Sequence, residues 1–264
     1  MIALSLGAGV QSSTLALMLA RGDLGPMPDC AIFADTQGEP ASVYRWLDWL
    51  EAQLPYPVYR ATAGSLAEKA VEVRTGKNDK RYTKSSVPAF IVGETGAVGF
   101  MMRQCTNDYK IVVIKRQLRT LIGRKRNAKV VQLIGISADE VHRMKPSRDK
   151  WITNQWPLVD AGIRRSDCIA WMAKCGYPTP PRSACVFCPY HNDREWLRLK
   201  TKEPEEFQKA VEFETRYKAA MAKTKMRGTP YLHRSLVPLS EVVFGAADGQ
   251  LDMFGNECEG MCGV

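Results

Sequence analysis

Eight cysteines carry the most chemistry in this 264-residue chain, at positions 30, 105, 168, 175, 185, 188, 258 and 262. Cys185 and Cys188 are two residues apart and followed by Pro189, a spacing that lets two thiolates bind one metal ion or cluster. A zinc site would need two more ligands, and His191 is either a third or the cap of the next helix. Cys258 and Cys262 fall in a small, polar terminal stretch, Glu257-Cys258-Glu259-Gly260-Met261-Cys262-Gly263-Val264. Cys30, inside the apolar run Cys30–Ala34, reads as packing. No apolar run approaches the roughly 18–20 residues of a membrane helix, and the start, MIALSLGAG, lacks the basic region and cleavage site of a signal peptide. A cytoplasmic protein with no membrane partner is expected. In that reducing compartment, clustered cysteines indicate metal or redox chemistry rather than disulfides.

A second candidate is the turn Ser5-Leu6-Gly7-Ala8-Gly9-Val10-Gln11-Ser12-Ser13. Small residues there let the backbone approach a phosphate, and N–H groups at a helix N-terminus supply donors. The hydroxyls of Ser12 and Ser13 add more. The turn has neither the Gly-Lys-Ser/Thr ending of a Walker loop nor the GxGxxG pattern of a dinucleotide fold. The net charge of +9 implies anionic partners. Arg74, Lys77, Lys80, Arg81 and Lys84 share one polar stretch, and nine Lys/Arg lie between Arg103 and Lys129.

The elements that must position these residues alternate. Strand patterns at Met1–Leu6, Cys30–Ala34 and Pro57–Ala61 are interleaved with helix patterns at Ser12–Ala20, Ser42–Gln53 and Leu66–Val73. This predicts an α/β fold, a Rossmann-like parallel sheet with flanking helices. Residues 76–104 show no periodicity. A helix over Asn107–Leu121, a strand over Lys129–Ile136 and a helix capped by Ser166 and ending before Gly176 follow. Residues 139–160 read as polar and irregular, Arg194–Lys200 and Glu205–Lys223 as helices, and the chain from Gly228 as an extended tail. Residues 1–200 are taken as a nucleotide-binding domain with the cysteine cluster, and 201–264 as a helical extension with a cysteine-bearing tail.

The glycine turn resembles the PP-loop of the adenine nucleotide alpha hydrolase-like superfamily, and several stretches resemble its sulfonucleotide (PAPS and APS) reductase branch. Phe33-Ala34-Asp35-Thr36-Gln37-Gly38-Glu39 with Tyr44-Arg45 is similar to that branch's Asp-Thr-Gly segment and the helix after it. Cys105-Thr106-Asn107-Asp108-Tyr109-Lys110 resembles its Cys-Cys-x-x-x-Lys motif. Gly135–Glu140 with Arg143 and Arg148 resembles its substrate segment, Pro157–Asp160 its Asn-Pro-Leu region, and Cys185–Cys188 its distal CxxC. The matches run in order from residue 1 to about 190. In one respect the chain departs from the PP-loop ATP pyrophosphatases: Val10-Gln11 stands where they carry Lys-Asp, the pair that handles pyrophosphate and magnesium.

The resemblance implies an oxidoreductase that binds PAPS or APS through Ser5, Gly7, Gly9, Ser12, Ser13, Asp35, Arg143 and Arg148. It also implies a 4Fe-4S cluster rather than zinc, with Cys105 joining Cys185 and Cys188. Because position 106 is threonine, the fourth ligand is either Cys175 or Cys168, or one iron keeps an open position. The tail implies a thiolate nucleophile, Cys262 or Cys258, activated by cations such as Lys110, Arg143 or Arg148, and a thioredoxin-like reductant. Two other readings stay open: ATP-dependent thiolation or phosphorothioation of tRNA or DNA, and a non-catalytic nucleotide- or nucleic-acid-binding module.

Overall fold

The first apolar run forms β1 (Ile2–Leu6), whose alternate side chains enter two cores, Ala3 on one face and Leu4 and Leu6 on the other. Burial on both faces is what a continuous apolar strand in a parallel sheet requires. The computed structural model describes residues 1–83, 87–123, 127–224, 226 and 228–245. After β1 come α1 (Val10–Arg21), β2 (Cys30–Asp35), α2 (Ala41–Gln53), β3 (Val58–Thr62) and α3 (Leu66–Val71). Two hairpin pairs follow, β4 (Val73–Thr75) with β5 (Arg81–Thr83) and β6 (Phe90–Val92) with β7 (Val98–Phe100). A π-helical turn, Asn107–Ile111, then runs into α4 (Val112–Ile122). The rest is β8 (Val130–Ile134), β9 (Ile152–Gln155), α5 (Pro157–Asp160), α6 (Arg165–Lys174), α7 (Asp193–Lys202), α8 (Pro204–Met221) and β10 (Thr229–Tyr231).

The main sheet has five parallel strands in the order β3-β2-β1-β8-β9. Helices α1, α2 and α6 cover the face carrying Leu4, Phe33 and Leu133, and α4 covers the face carrying Ala3, Ile32 and Val130. The chain is therefore an α/β protein with a Rossmann-like sheet. The strand order turns back between β1 and β8, and in such sheets ligands bind outside the carboxyl ends of the strands at that switch. Among the described residues no helix is long and apolar enough to cross a membrane.

Four expectations need correction. The unpatterned stretch 76–104 contains β5, β6 and β7, each three residues long and too short to display alternation. The polar stretch 139–160 contains β9, an edge strand in which Ile152 alone is buried, and α5. Residues 228–245 are not an extended tail. There β10 pairs with β6, and Leu232, Leu239, Val242 and Phe244 are buried. They complete a second core with α3, α7 and α8, built on the fully buried Trp196 and Tyr217. Arg164 rather than Ser166 is the N-cap of α6, because Asp167 accepts a bond from the Arg164 N–H at 2.8 Å. Cys258 and Cys262 lie outside the described residues.

Candidate functional site

The glycine turn sits at the switch, with Ala8 in the left-handed region (φ 57°). A non-glycine residue there costs about 1–2 kcal/mol and is held only by its surroundings. Gly7, Gly9, Ser12 and Ser13 are all buried, as is Ser5 in the preceding strand. The hydroxyls expected to meet phosphate are engaged within the fold. Ser12 Oγ accepts from Gly7 N–H at 3.2 Å, and Ser13 Oγ accepts from the Trp46 indole at 2.9 Å. Gln11, 1% exposed, fills the crevice between α1 and the loop after β8. Its amide donates to Glu140 Oε2 at 3.0 Å and Ser137 Oγ at 3.3 Å, and accepts from Arg165 Nη1 at 2.9 Å. Arg143 joins this network through Glu140 at 2.9 Å.

The loop after β8 closes on α1 with almost no clearance. A Cβ at Gly135 would stand 2.8 Å from the Ser12 Cα. The next atoms, Ser12 N at 3.0 Å and Gln11 C at 3.2 Å, are backbone too, so none of the three can swing aside. Gly135→Ala is expected to destabilise the protein by about 1–3 kcal/mol, the range for forced overpacking. A urea unfolding midpoint equal to that of the parent protein would refute this.

At the carboxyl end of β2, Asp35 shapes its own loop. Its Oδ1 accepts from Gln37 N–H at 2.7 Å and from the Tyr44 hydroxyl at 2.8 Å. Burial, then the bond to Asp35, pushes the Tyr44 hydroxyl pKa well up, so it stays a donor. The same loop receives the Cys185–Cys188 turn. Val186 N–H donates to Gly38 O at 2.8 Å, and Thr36 Oγ1 lies 3.1 Å from Cys185 Sγ. Cys188 N–H closes the turn on Cys185 O at 2.9 Å, and the His191 ring meets that same carbonyl at 3.0 Å. Burial, with Arg182 nearby, pushes the His191 pKa well down and keeps the ring neutral.

Next to this turn lies the buried pair Lys110–Glu39, at 3.9 Å, with Ser183 Oγ on the other Glu39 oxygen at 3.1 Å. The wider π-helical turn places both Tyr109 and Lys110 inward, and such turns recur at functional sites.

Two open spaces meet at this helical turn. A narrow pocket is lined by Cys105, Cys185 and Cys188 together with Thr36, Thr106 and Lys110. On the other side of Thr106 is a pocket of about 300 Å³ lined by four cations, Arg103, Lys115, Lys145 and Arg148. Gln132 and Asn154 line it too, and no carboxylate is among its described lining residues. Asn154 donates to Lys145 O at 3.0 Å, and Lys115 reaches Asp149 at 2.6 Å.

The structure places Cys105, Cys185, Cys188 and Lys110 on one pocket, and it separates the two predicted arginines. Arg143 belongs to the crevice network and Arg148 to the cationic pocket. Cys175 does not line the cysteine pocket. It is the C-cap of α6, close to Arg21 at the far end of α1. Cys168 is buried against α1, and burial raises its thiol pKa to about 12. No group of three or more His, Cys, Asp or Glu among the described residues is close enough to hold a metal ion as it stands. Three thiols on one pocket match the donor chemistry of an iron–sulfur cluster, and the described residues bring no fourth cysteine to it.

Among the residues of the two pockets and the crevice, Gln11 and Glu39 lie inside the glycine turn and the segment 33–39, and Lys115 inside the basic stretch 103–129, but none of the three has a motif of its own as a site residue, and Lys145 carries no signal at all. The chain matches no protein-family model and no curated protein.

Proposed function

We propose that the chain is an enzyme of sulfonucleotide-reductase type on a PP-loop fold. A phosphate of an adenine nucleotide such as PAPS or APS sits in the cationic pocket, and its sulfur-bearing group points past Thr106 toward the thiols. The observation that carries this is the shared turn: Thr106 lines both the cationic and the cysteine pocket. Arg148, Lys145 and Arg103 bind and orient the anion, and charge-assisted bonds of this kind are the strong ones. Lys110, held by Glu39, places a positive charge beside the thiols and favours negative charge developing on a sulfonyl oxygen or a departing sulfur. Cys105, Cys185 and Cys188 would hold the cluster, which supplies local charge and redox tuning. The buried glycine turn and the Gln11 network act as the rigid wall of the site rather than as the phosphate cradle. A dithiol protein of thioredoxin type would supply the two electrons.

Arg148→Glu with Lys145→Glu tests the pocket. Two lost charge-assisted contacts should weaken nucleotide affinity by at least about a hundredfold, measured by calorimetry with PAPS and APS. The iron content should be unchanged. Unaltered affinity would remove the nucleotide from this pocket.

A further inference from the structure

We infer that the cationic pocket and an aromatic ridge beside it form one binding face for single-stranded nucleic acid. This rests on the reading that the pocket receives phosphate, and it names a polymer as a partner of that site. Arg103 joins the two parts. It lines the pocket, and its guanidinium carbon lies 5.3 Å from the ring centroid of Tyr190. Tyr190 meets Phe100 edge-on at 5.5 Å, and Phe100 meets Phe90 at 4.8 Å. Phe100 is 37% exposed on β7, the edge strand of its sheet, between Val98 at 65% and Met102 at 79%.

An apolar ridge alone would suit many partners. Its junction with a pocket lined by four cations, of which Lys115 is paired with Asp149, selects a polyanion that also carries flat apolar groups. Single-stranded nucleic acid has both parts. Its phosphates are taken by Lys and Arg, and its bases stack on aromatic side chains with little regard to sequence. A duplex keeps its bases inside and cannot use the ridge. One phosphate of the strand enters the pocket, with adjacent bases on Tyr190 and Phe100. A free nucleotide occupies the pocket alone and competes.

The test is fluorescence anisotropy on the full chain with a single strand of about 12 nucleotides, DNA and RNA in parallel, within the site sizes such proteins show. The same sequence as a duplex and AMP as a competitor complete the set. The single strand should bind at least about tenfold tighter than AMP. Its log affinity should fall against log salt, with a slope of about −0.7 for each phosphate neutralised. Tyr190→Ala with Phe100→Ala should cost the strand about tenfold or more and leave AMP affinity within about twofold. Val98→Asp, on an exposed side chain, should weaken the strand without touching the fold, which guards against misfolding of the double variant. Lys145→Glu should weaken both ligands. A strand no tighter than AMP, one bound less tightly than the duplex, or one indifferent to the ridge variants would overturn the face and leave the nucleotide reading intact. A strand that binds while AMP does not displace it would do the reverse.

Discussion

Cys185→Ser is expected to end turnover while leaving nucleotide affinity within about twofold. The thiol stands at the meeting point of three constraints. Its sulfur is 3.1 Å from Thr36, its carbonyl holds Cys188 and His191, and its pocket also contains Cys105 and Lys110. Serine keeps the size and the bond to Thr36, so the turn should persist. What is lost is a soft, ionisable thiol. Changes one shell further out from a metal already cost about 10- to 100-fold, so on the proposed cluster the loss of this thiol should exceed a hundredfold in sulfite release from PAPS or APS. Protein purified without oxygen should be brown and lose that colour in the variant, since the absorbance arises from thiolate–iron charge transfer. A colourless parent carrying one equivalent of zinc would sink the cluster. A brown Cys185→Ser protein with normal turnover would sink the assignment of this thiol. The two pockets should therefore separate: the charge reversal at Lys145 and Arg148 abolishes binding and keeps the colour, and Cys185→Ser does the opposite.

Much of the scaffold is readable from the residues, and the reason is burial. In β2 the side chains of Cys30–Ala34 alternate between two cores, and in β1 Ala3 enters one while Leu4 and Leu6 enter the other, so the apolar runs stand out. On α2 Val43, Trp46, Leu47 and Leu50 form one stripe because one face alone is buried. The small elements leave no such trace. β9 has one buried residue and β7 none, so neither alternation nor composition marks them. The second core was hidden for another reason. It is assembled from segments more than a hundred residues apart, such as Tyr217 donating to Val87 O at 2.8 Å.

The site divides in the same way. The cysteines show by type and spacing, and the order of motifs places them together. That Ser12, Ser13 and Asp35 spend their bonds on the fold cannot be read from type, because a hydroxyl or carboxylate looks the same whether it meets a ligand or a backbone amide. Nor can the pairing of Gln11 with Arg165, which depends on how α6 crosses α1.

Gly38→Val should reduce turnover by about a hundredfold although residue 38 carries no reacting group. A Cβ at this glycine would stand 2.9 Å from the Phe187 ring and 3.5 Å from the Cys185 Cβ. A ring tip could ordinarily rotate away. This one is 3% exposed and stacked on Phe213 at 4.2 Å, which in turn stacks on Tyr217 at 5.3 Å. The yielding part is then the Cys185–Cys188 turn, which must lift from Gly38 O and Thr36. A displacement of about 1 Å at a reacting group costs on the order of a hundredfold, and the overpacking itself about 1–3 kcal/mol of stability. Phe187→Leu should relieve the contact, so the double variant should recover most of the lost turnover, a positive coupling expected only for touching residues. Additive losses in turnover, or a single variant with full activity, would show that the cysteine turn is not positioned by Phe187 seating on Gly38.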